Sequence, residues 1–387
     1  MPPAAPRRRI TRAELLLLLF STGVALTATV LGAEWAIRHR ERTRETVPGT
    51  MAQLFYRHSR LGHALVRNTS YFDWVHTNAQ GFRGVRPTPV AAEPSTVRLF
   101  AVGGSTTFDS FVSHDSAAWP AVLERELQRL APGTRLEIVN AGVPGFTVTQ
   151  DLIRLQTELL AFQPDAILFL QGHNDLFGLL APIPAMPTSD RPGAVEPFSA
   201  LTLWLETHSL LYSKMIGYLD VVRFQRSGTP ASTSAPVEDG TARNARAMTR
   251  FSEHVRSYLA VTSAHGIPTF VIEPAHVSGL DATEPATPAQ ANAWRGAVPF
   301  ASTSTVLAGY RSFRDVMVAA AADHGATFVP TSQLAVTGDE HYVSGDPIHF
   351  SDAGARRFAS GLAPLLLADS SFRRLLEAPP SDTSPTP

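Results

Sequence analysis

From Val97 onward, continuous apolar runs alternate with stretches whose apolar residues recur at helical spacing, and this alternation restricts the fold most strongly. Short apolar runs bounded by turn residues predict strands. They occur at Val97–Val102, Leu136–Val139, Ala166–Leu170, Pro268–Ile272 and Ala326–Val329. The helical patterns lie at 117–130, 147–162, 243–264, 304–323 and 353–367. Alternating strands and helices predict a parallel sheet that is covered by helices on both faces.

One strand runs directly into a sharp turn that presents a serine. Residues Leu99–Val102 are followed by Gly103, Gly104 and Ser105. Ligands of open α/β sheets bind beyond the carboxyl ends of the strands. A serine hydroxyl at this edge becomes a useful nucleophile only when a base takes its proton. The chain offers a candidate base far downstream, in Asp346-Pro-Ile-His349.

Two further polar turns follow apolar runs between these two positions. They are Asn140-Ala-Gly-Val-Pro-Gly145 and Gly172-His-Asn-Asp175. Each block also has a purely structural interpretation, because asparagine and aspartate form turns and cap helices without any catalytic role. We expect the four blocks to meet at one edge of the sheet and to form an active site.

These four blocks together resemble those of the SGNH (GDSL-like) hydrolase superfamily, in the order and near the spacing found in that family. The resemblance covers roughly residues 97–368. It implies a flavodoxin-like three-layer α/β/α sandwich with a five-stranded parallel sheet. Most members of the superfamily are esterases, lipases and carbohydrate deacetylases, and a minority transfer acyl groups.

The resemblance implies a role for each candidate residue. Ser105 is the expected nucleophile, His349 the base, and Asp346 the residue that orients the imidazole. An oxyanion hole is expected from the backbone N–H groups of Ser105 and Gly145 and from the side-chain amide of Asn174. Gly142 competes for the second position, and the family's Asn-x-x-x-x-Gly spacing favours Gly145.

The chain departs from the family's pattern at two positions near the serine. Gly104 stands where the family has the aspartate of Gly-Asp-Ser, and Asp109 stands where a glycine is usual. Asp109 either lines the pocket or bonds to a nearby backbone group. We expect Asp175 to act as a supporting or capping residue, and His173 to lie beside the site without a fixed role.

The amino terminus carries a segment that is long enough to cross a membrane. Arg7, Arg8, Arg9 and Arg12 precede Leu15–Ala33, nineteen residues without a charge. This predicts a cytoplasmic terminus over 1–12, a single-pass transmembrane anchor over 13–34, and an extracytoplasmic catalytic domain, periplasmic in a Gram-negative cell. Arginines also follow the segment, which weakens the orientation argument. A cleaved signal peptide, giving a secreted protein, and a buried core helix are the alternatives.

The remaining boundaries follow from composition. Residues 35–95 are expected to be a spacer with a short strand at Tyr71–Thr77 and a turn whose Phe82 and Arg83 dock it on the main domain. Residues 96–370 are expected to form the hydrolase domain. An insertion over about 176–241 is expected to contain a helix at Phe198–Val222, which either packs on the domain or acts as a lid or membrane-surface helix beside the active site. Residues 277–302 are expected to form a long loop, and 378–387 a disordered tail.

Composition and charge exclude several classes of protein. The 387 residues carry a formal net charge of −1, which argues against a nucleic-acid partner. The chain has no cysteine, so disulfides and thiol chemistry are absent. Neither a Gly-Lys-Ser/Thr nor a Gly-x-Gly-x-x-Gly pattern follows the first strand, so nucleotide binding is not indicated. A serine mechanism requires no cofactor and no metal.

The sequence therefore predicts a serine esterase that hydrolyses an acyl ester, acetyl esters included, of a carbohydrate or lipid. Its expected partners are this small-molecule, glycan or lipid ester and the membrane; no protein partner is indicated. An O-acyltransferase acting on an envelope glycan or lipid would use the same residues, and a catalytically silent scaffold is a third possibility. The partition of an acyl-enzyme between water and a sugar hydroxyl separates the first two.

Overall fold

The structure is a computed structural model that describes residues 11–43, 54–58, 60–71, 74–180, 209, 211–212, 215, 240–299, 301–334 and 336–377. The chain divides into two compact units. One comprises residues 1–50, 57–59 and 191–234, and the other comprises residues 51–56, 60–190 and 235–387. The central sheet and all the candidate site residues belong to the second unit.

Nine strands and ten α-helices occur in the described residues. The strands are β1 (Phe55–His58), β2 (Gly62–Leu65), β3 (Thr69–Tyr71), β4 (Val75–Thr77), β5 (Thr96–Gly103), β6 (Arg135–Asn140), β7 (Ala166–Leu170), β8 (Thr269–Ile272) and β9 (Thr327–Val329). The helices are α1 (Arg12–Thr43), α2 (Ser105–Phe108), α3 (Trp119–Leu130), α4 (Val148–Thr157), α5 (His173–Leu180), α6 (Gly240–Ala264), α7 (Pro288–Ala297), α8 (Thr303–His324), α9 (Asp352–Ala368) and α10 (Ser370–Glu377).

The central sheet has five parallel strands, as the sequence predicts, and their order in the sheet is β6-β5-β7-β8-β9. Every residue of β7 is buried, so helices cover the sheet on both faces. One group of helices contains α3, α9 and α10, and the other contains α4, α5, α6 and α8. The chain therefore has the three-layer α/β/α architecture. Because all five strands run the same way, their carboxyl ends and the turns that follow them share one edge.

Two elements differ from the sequence prediction because the chain turns earlier than the apolar pattern shows. The expected single strand at Tyr71–Thr77 is an antiparallel pair, in which Thr69 faces Thr77 and Tyr71 faces Val75. The helix expected to reach Phe162 ends at Thr157, and a 3₁₀ turn at Leu159–Phe162 completes the apolar face.

The segment expected to be a loop over 277–302 contains helix α7. Its start carries two standard signals, since the Thr287 side chain accepts the backbone N–H of Gln290 and Pro288 occupies the first turn. Trp294 and Ala293 bury its inner face. The expected helix at 198–222 lies largely, and the expected tail at 378–387 entirely, outside the described residues.

Helix α1 contains a segment, Arg12–Ile37, that is long and apolar enough to span a membrane, with a mean hydropathy of 2.1 over its best window. None of that window is buried by the described residues. Length and composition alone support this assignment, and an N-terminal signal sequence has the same properties.

Residues of β2, β4 and the turn after them pack against segments that follow β5 and β6. A small apolar cluster joins Leu61, Leu65 and Val75 to Phe108 and Phe146 of the domain. Phe82 is fully buried against Phe100 and Phe162. Within the expected spacer, residues 60–71 and 74–84 are therefore a folded part of the unit that contains the central sheet.

Candidate active site

Ser105 begins helix α2 at the carboxyl end of β5, the second strand of the sheet. The preceding Gly103 has φ +156°, and a Cβ at this position would lie 2.0 Å from the Leu170 carbonyl oxygen. The same Cβ would lie 2.3 Å from Thr107 Oγ1, which donates a hydrogen bond to that carbonyl at 3.0 Å. Only glycine fits between the two strands here, and this close approach sets the angle at which the chain turns into Ser105.

A continuous chain of hydrogen bonds joins the three residues that the sequence singles out. The Ser105 hydroxyl lies 2.8 Å from His349 Nε2, although the two residues are 244 positions apart. His349 Nδ1 lies 2.7 Å from Asp346 Oδ2 on the other side of the ring. The carboxylate is an acceptor, so Nδ1 carries the proton and Nε2 is left to accept from the serine.

The Asp346 carboxylate is held by its own loop. Its Oδ1 accepts the backbone N–H groups of Ile348 and His349, both at 2.9 Å. Burial alone would raise the pKa of Asp346, but the hydrogen bond to His349, its charge, and the two N–H donors outweigh burial and lower this pKa below its ordinary value. The loop is fixed to the sheet because Val277, just after β8, donates its N–H to the Pro347 carbonyl at 2.9 Å.

Asn174 lies in the first turn of α5, against the glycines before the nucleophile. Its Nδ2 donates to the Phe146 carbonyl at 2.8 Å. A Cβ on Gly104 would lie 2.8 Å from Asn174 Nδ2. A side-chain amide carries two hydrogens, so this bond leaves the second one available for a ligand. The absence of a side chain at Gly104, the position that departs from Gly-Asp-Ser, gives the amide this close position.

The turn between β6 and α4 distinguishes the two glycines considered for the oxyanion hole. The Gly142 N–H donates to Asn140 Oδ1 at 3.1 Å and is therefore occupied. The N–H groups of Gly145 and Ser105 donate no hydrogen bond within the part of the chain that the structure describes. Gly145 has φ +85°, which glycine adopts without the strain that other residues suffer. The free N–H supports Gly145 over Gly142 as a donor to a ligand.

Asp109, the second departure from the family's pattern, bonds to the backbone. It is buried, and its Oδ2 accepts the backbone N–H of Trp119 at 2.8 Å. Burial raises the pKa of Asp109 to about 7, although the Arg83 guanidinium opposes this shift. Its carboxylate therefore holds the start of α3.

Asp175 and His173 flank Asn174 and point elsewhere. The Asp175 carboxylate accepts the N–H of Val148, the first residue of α4, at 3.2 Å, so it caps that helix. Burial raises the pKa of Asp175 to about 7. His173 is buried, its Nδ1 lies 2.6 Å from the Tyr310 hydroxyl, and burial lowers its pKa to about 3. Asp175 therefore caps α4, and the His173 side chain is bonded to α8.

Two residues at the site carry no signal in their local sequence. Gln171, immediately after β7, donates from Nε2 to the Phe146 carbonyl at 3.0 Å and to Asp151 Oδ2 at 2.7 Å. His63, in β2, contacts the Pro144 carbonyl. Among the described residues, no group of three or more His, Asp or Glu side chains is placed to hold a metal ion.

Residues 101–357 match the profile of the GDSL-like Lipase/Acylhydrolase family. This match covers about two thirds of the chain, and it includes Ser105, His349 and all the blocks between them. The protein belongs to this family. Membership supports an ester hydrolase, in agreement with the class that the sequence motifs predict.

Several solved structures are similar to this chain at low sequence identity. An α/β hydrolase, LAE5, from the metagenome of Lake Arreo is 16% identical with a TM-score of 0.40, covering 71% of this chain and 95% of its own. A putative lipolytic protein of the G-D-S-L family from Desulfitobacterium hafniense is 13% identical with a TM-score of 0.39, covering 70% and 99%. A catalytic mutant of the acetylxylan esterase Axe2 from Geobacillus stearothermophilus is 15% identical with a TM-score of 0.41, covering 69% and 92%. No curated protein matches the chain.

Proposed function

We propose that this protein is a serine esterase that removes an acyl group from a carbohydrate or lipid ester, with Ser105 as the nucleophile. The observation that carries the proposal is the relay in which Ser105 Oγ lies 2.8 Å from His349 Nε2 and His349 Nδ1 lies 2.7 Å from Asp346. A relay of hydroxyl, imidazole and carboxylate within hydrogen-bonding distance is the arrangement that activates a serine.

In the first half of the reaction, His349 Nε2 takes the hydroxyl proton while Ser105 Oγ attacks the ester carbonyl carbon. The negative charge of Asp346 stabilises the imidazolium that forms, and its two contacts with His349 keep the ring in place. His349 then gives the proton to the departing alkoxide oxygen. The alcohol leaves, and the acyl group remains on Ser105.

Negative charge develops on the carbonyl oxygen during this attack. The N–H groups of Ser105 and Gly145 and the second amide hydrogen of Asn174 are the donors we assign to it. Fixed donors of this kind are each worth about 10²–10³ in rate. The Phe146 carbonyl holds the Asn174 amide in place, and Gln171 holds the same carbonyl from a second direction.

In the second half, His349 takes a proton from a water molecule, and the resulting hydroxide attacks the acyl carbon. The carboxylic acid leaves, and Ser105 recovers its proton from His349. A sugar hydroxyl in place of water would make the enzyme an O-acyltransferase with the same residues. Product analysis with and without an added sugar acceptor tells the two reactions apart.

We propose further that α1 anchors the enzyme in a membrane. The support is the length of the Arg12–Ile37 segment and the mean hydropathy of 2.1 over its best window. We expect the full chain to sediment with membranes and to resist extraction by salt, and a chain beginning at residue 46 to stay in the supernatant. A soluble full-length chain with an unprocessed N-terminus would contradict the anchor, and a mature N-terminus within 30–46 would identify a cleaved signal.

The nucleophile is tested by covalent labelling. A fluorophosphonate should label the full chain in detergent, and peptide mapping should place the label on Ser105. The variants Ser105→Ala and His349→Ala should resist labelling and lose hydrolysis of p-nitrophenyl acetate, while their thermal unfolding stays close to that of the wild type. Ser113→Ala, on an exposed serine, is the matched control and should label normally. A label on another serine would overturn the assignment.

A further inference from the structure

We infer that His63, which lies outside the family-matched region, is a positioning residue for the oxyanion hole. It orients the Pro144–Gly145 peptide so that the Gly145 N–H faces the reacting carbonyl. The inference rests on the proposed function, since it assigns a supporting residue to the same site. It also gives the segment between the N-terminal helix and the family domain a part in catalysis.

The first step is a hydrogen bond. His63 Nε2 lies 2.7 Å from the Pro144 carbonyl oxygen, across 81 positions of sequence. A carbonyl oxygen can only accept, so the imidazole donates from Nε2. A protonated imidazole donates from the same atom, so the contact does not depend on the charge of the ring.

The second step is the geometry of the peptide unit. The carbonyl of Pro144 and the N–H of Gly145 belong to one planar peptide group, and this peptide bond is trans. In a trans peptide the C=O and the N–H point in opposite directions. A donor that fixes the carbonyl on one side therefore fixes the direction of the N–H on the other side.

The third step is that this peptide would otherwise be free to rotate. Gly145 has φ +85° and no side chain to restrict it, and its N–H has no partner within the described residues. Flipping a peptide next to a glycine costs little, because glycine tolerates both signs of φ. His63 restrains the Pro144 carbonyl, and rotation of this carbonyl would turn the Gly145 N–H away from the substrate.

The fourth step is that His63 itself is held in place. Its ring makes edge contacts with Phe55 and Phe146, each at 5.2 Å between centroids. A Cβ on Gly145 would lie 3.3 Å from His63 Cε1, so ring and turn are in close contact. The ring thus packs on the turn and donates to it, and these two functions can be separated by substitution.

The segment that carries His63 is also fixed against the nucleophile. Arg83 Nη1 donates to the carbonyls of Phe108 and Asp109, at the end of the short helix that starts with Ser105. Its Nε donates to Asp115 at 3.0 Å, and its backbone N–H donates to the Asn140 carbonyl. The same layer therefore supports both the nucleophile and the turn that bears the Gly145 donor.

The experiment compares two substitutions in the full chain. His63→Phe keeps an aromatic ring between Phe55 and Phe146 but removes the donor, and His63→Gln keeps an N–H donor but removes the ring. We expect His63→Phe to lower kcat for p-nitrophenyl acetate by at least about 10-fold with little change in KM, because a misdirected donor weakens transition-state binding alone. His63→Gln should restore kcat to within about threefold of the wild type.

The controls separate a catalytic effect from a structural one. The midpoint temperature of thermal unfolding should be the same for His63→Phe as for the wild type, or higher, since the packing is kept. His265→Phe, on an exposed histidine, should change neither kcat nor KM. The rate of fluorophosphonate labelling should fall with kcat, because phosphonylation also builds charge on the oxygen.

The outcomes distinguish the two levels of the argument. If the wild type is labelled at Ser105 and hydrolyses esters, but His63→Phe retains full kcat, the role of His63 is wrong and the proposed function stands. If His63→Gln is as slow as His63→Phe, the ring and not the donor matters, and the inference is also wrong. If the wild type is neither labelled at Ser105 nor active on any ester, the proposed function itself fails.

Discussion

Asp346 holds His349 at two points: its Oδ1 accepts the His349 backbone N–H at 2.9 Å, and its Oδ2 accepts the ring Nδ1–H at 2.7 Å. The backbone contact fixes the position of the His349 main chain, and the ring contact fixes the orientation of the imidazole. Together they leave Nε2 facing Ser105 at 2.8 Å. A three-residue separation makes this possible, because the tight loop brings the carboxylate over its own chain.

The first prediction concerns this double contact. Asp346→Asn retains an oxygen for the two backbone N–H groups, so the loop should keep its shape. Its amide can no longer stabilise the imidazolium and can donate to Nδ1, which favours the wrong tautomer. We expect kcat for p-nitrophenyl acetate to fall by about 10³–10⁴-fold. Asp339→Asn, on an exposed aspartate of the preceding turn, is the control, and retention of kcat in Asp346→Asn would contradict the assigned role.

The second prediction concerns the side-chain donor of the oxyanion hole. Asn174→Ala removes an amide hydrogen that we aim at the developing charge, so kcat should fall by about 10²–10³-fold while KM changes little. The Phe146 carbonyl keeps its second donor, Gln171 Nε2, so the turn should stay in place. Steady-state kinetics check the effect, with Asn292→Ala, on the exterior of α7, as the control. An equal loss in both variants would show a general effect and not a lost donor.

The central sheet and the four site blocks could be predicted because their signals are local. A run such as Ala166–Leu170 that is apolar at every position has few alternatives to a strand buried on both faces, and it is such a strand. The residues that follow parallel strands then have to share one edge. This is why Ser105, Asn174 and His349, distant in sequence, were expected to lie close together.

The parts that sequence reasoning missed depend on contacts between distant segments. His63 has no local pattern, since its partner lies 81 positions away, and Gln171 is a single polar residue after a strand. Tyr71 and Val75 belong to two paired strands, although the weak alternation over Tyr71–Thr77 is equally consistent with one strand. Helix α7 is a different case: Thr287 and Pro288 are ordinary start signals, which the polar composition of the segment obscured.

The third prediction is a pH dependence of stability at Asp175. Burial raises its pKa to about 7 from the ordinary 3.8, so the folded chain keeps a proton that the unfolded chain releases between about pH 4 and 7. The free energy of unfolding of the wild type therefore falls as pH rises through this range. Asp175→Asn retains an oxygen for the Val148 N–H and has no such proton, so its stability should lack this decline.

The expected result is a difference that grows with pH. The free energy of unfolding of Asp175→Asn minus that of the wild type should increase from about pH 4 to 7, by at most roughly 1.4 kcal/mol per pH unit, and then level off. Urea unfolding of both proteins at several pH values within this range measures it. Asp339→Asn, on an exposed aspartate, is the control. A difference that is constant or shrinks as pH rises would mean that the Asp175 carboxyl is ionised in the folded state.

The fourth prediction tests the close approach that sets the angle of the nucleophile. In Gly103→Ala the new methyl group would meet the Leu170 carbonyl oxygen at 2.0 Å and Thr107 Oγ1 at 2.3 Å, and the first of these atoms belongs to the backbone of a central strand. The strands β5 and β7 must then move apart, or α2 must tilt. We expect the free energy of unfolding to fall by roughly 3 kcal/mol, because both overpacking and an unfavourable φ contribute.

Gly296→Ala, in a helix where an added Cβ meets nothing within 4 Å, should be neutral or stabilising. Urea unfolding measures both effects, and the Gly103→Ala chain that remains folded should also label slowly with fluorophosphonate, since Ser105 follows directly from the displaced turn. Equal stability of the two alanine variants would show that the approach of β5 to β7 at this point is looser than the structure has it.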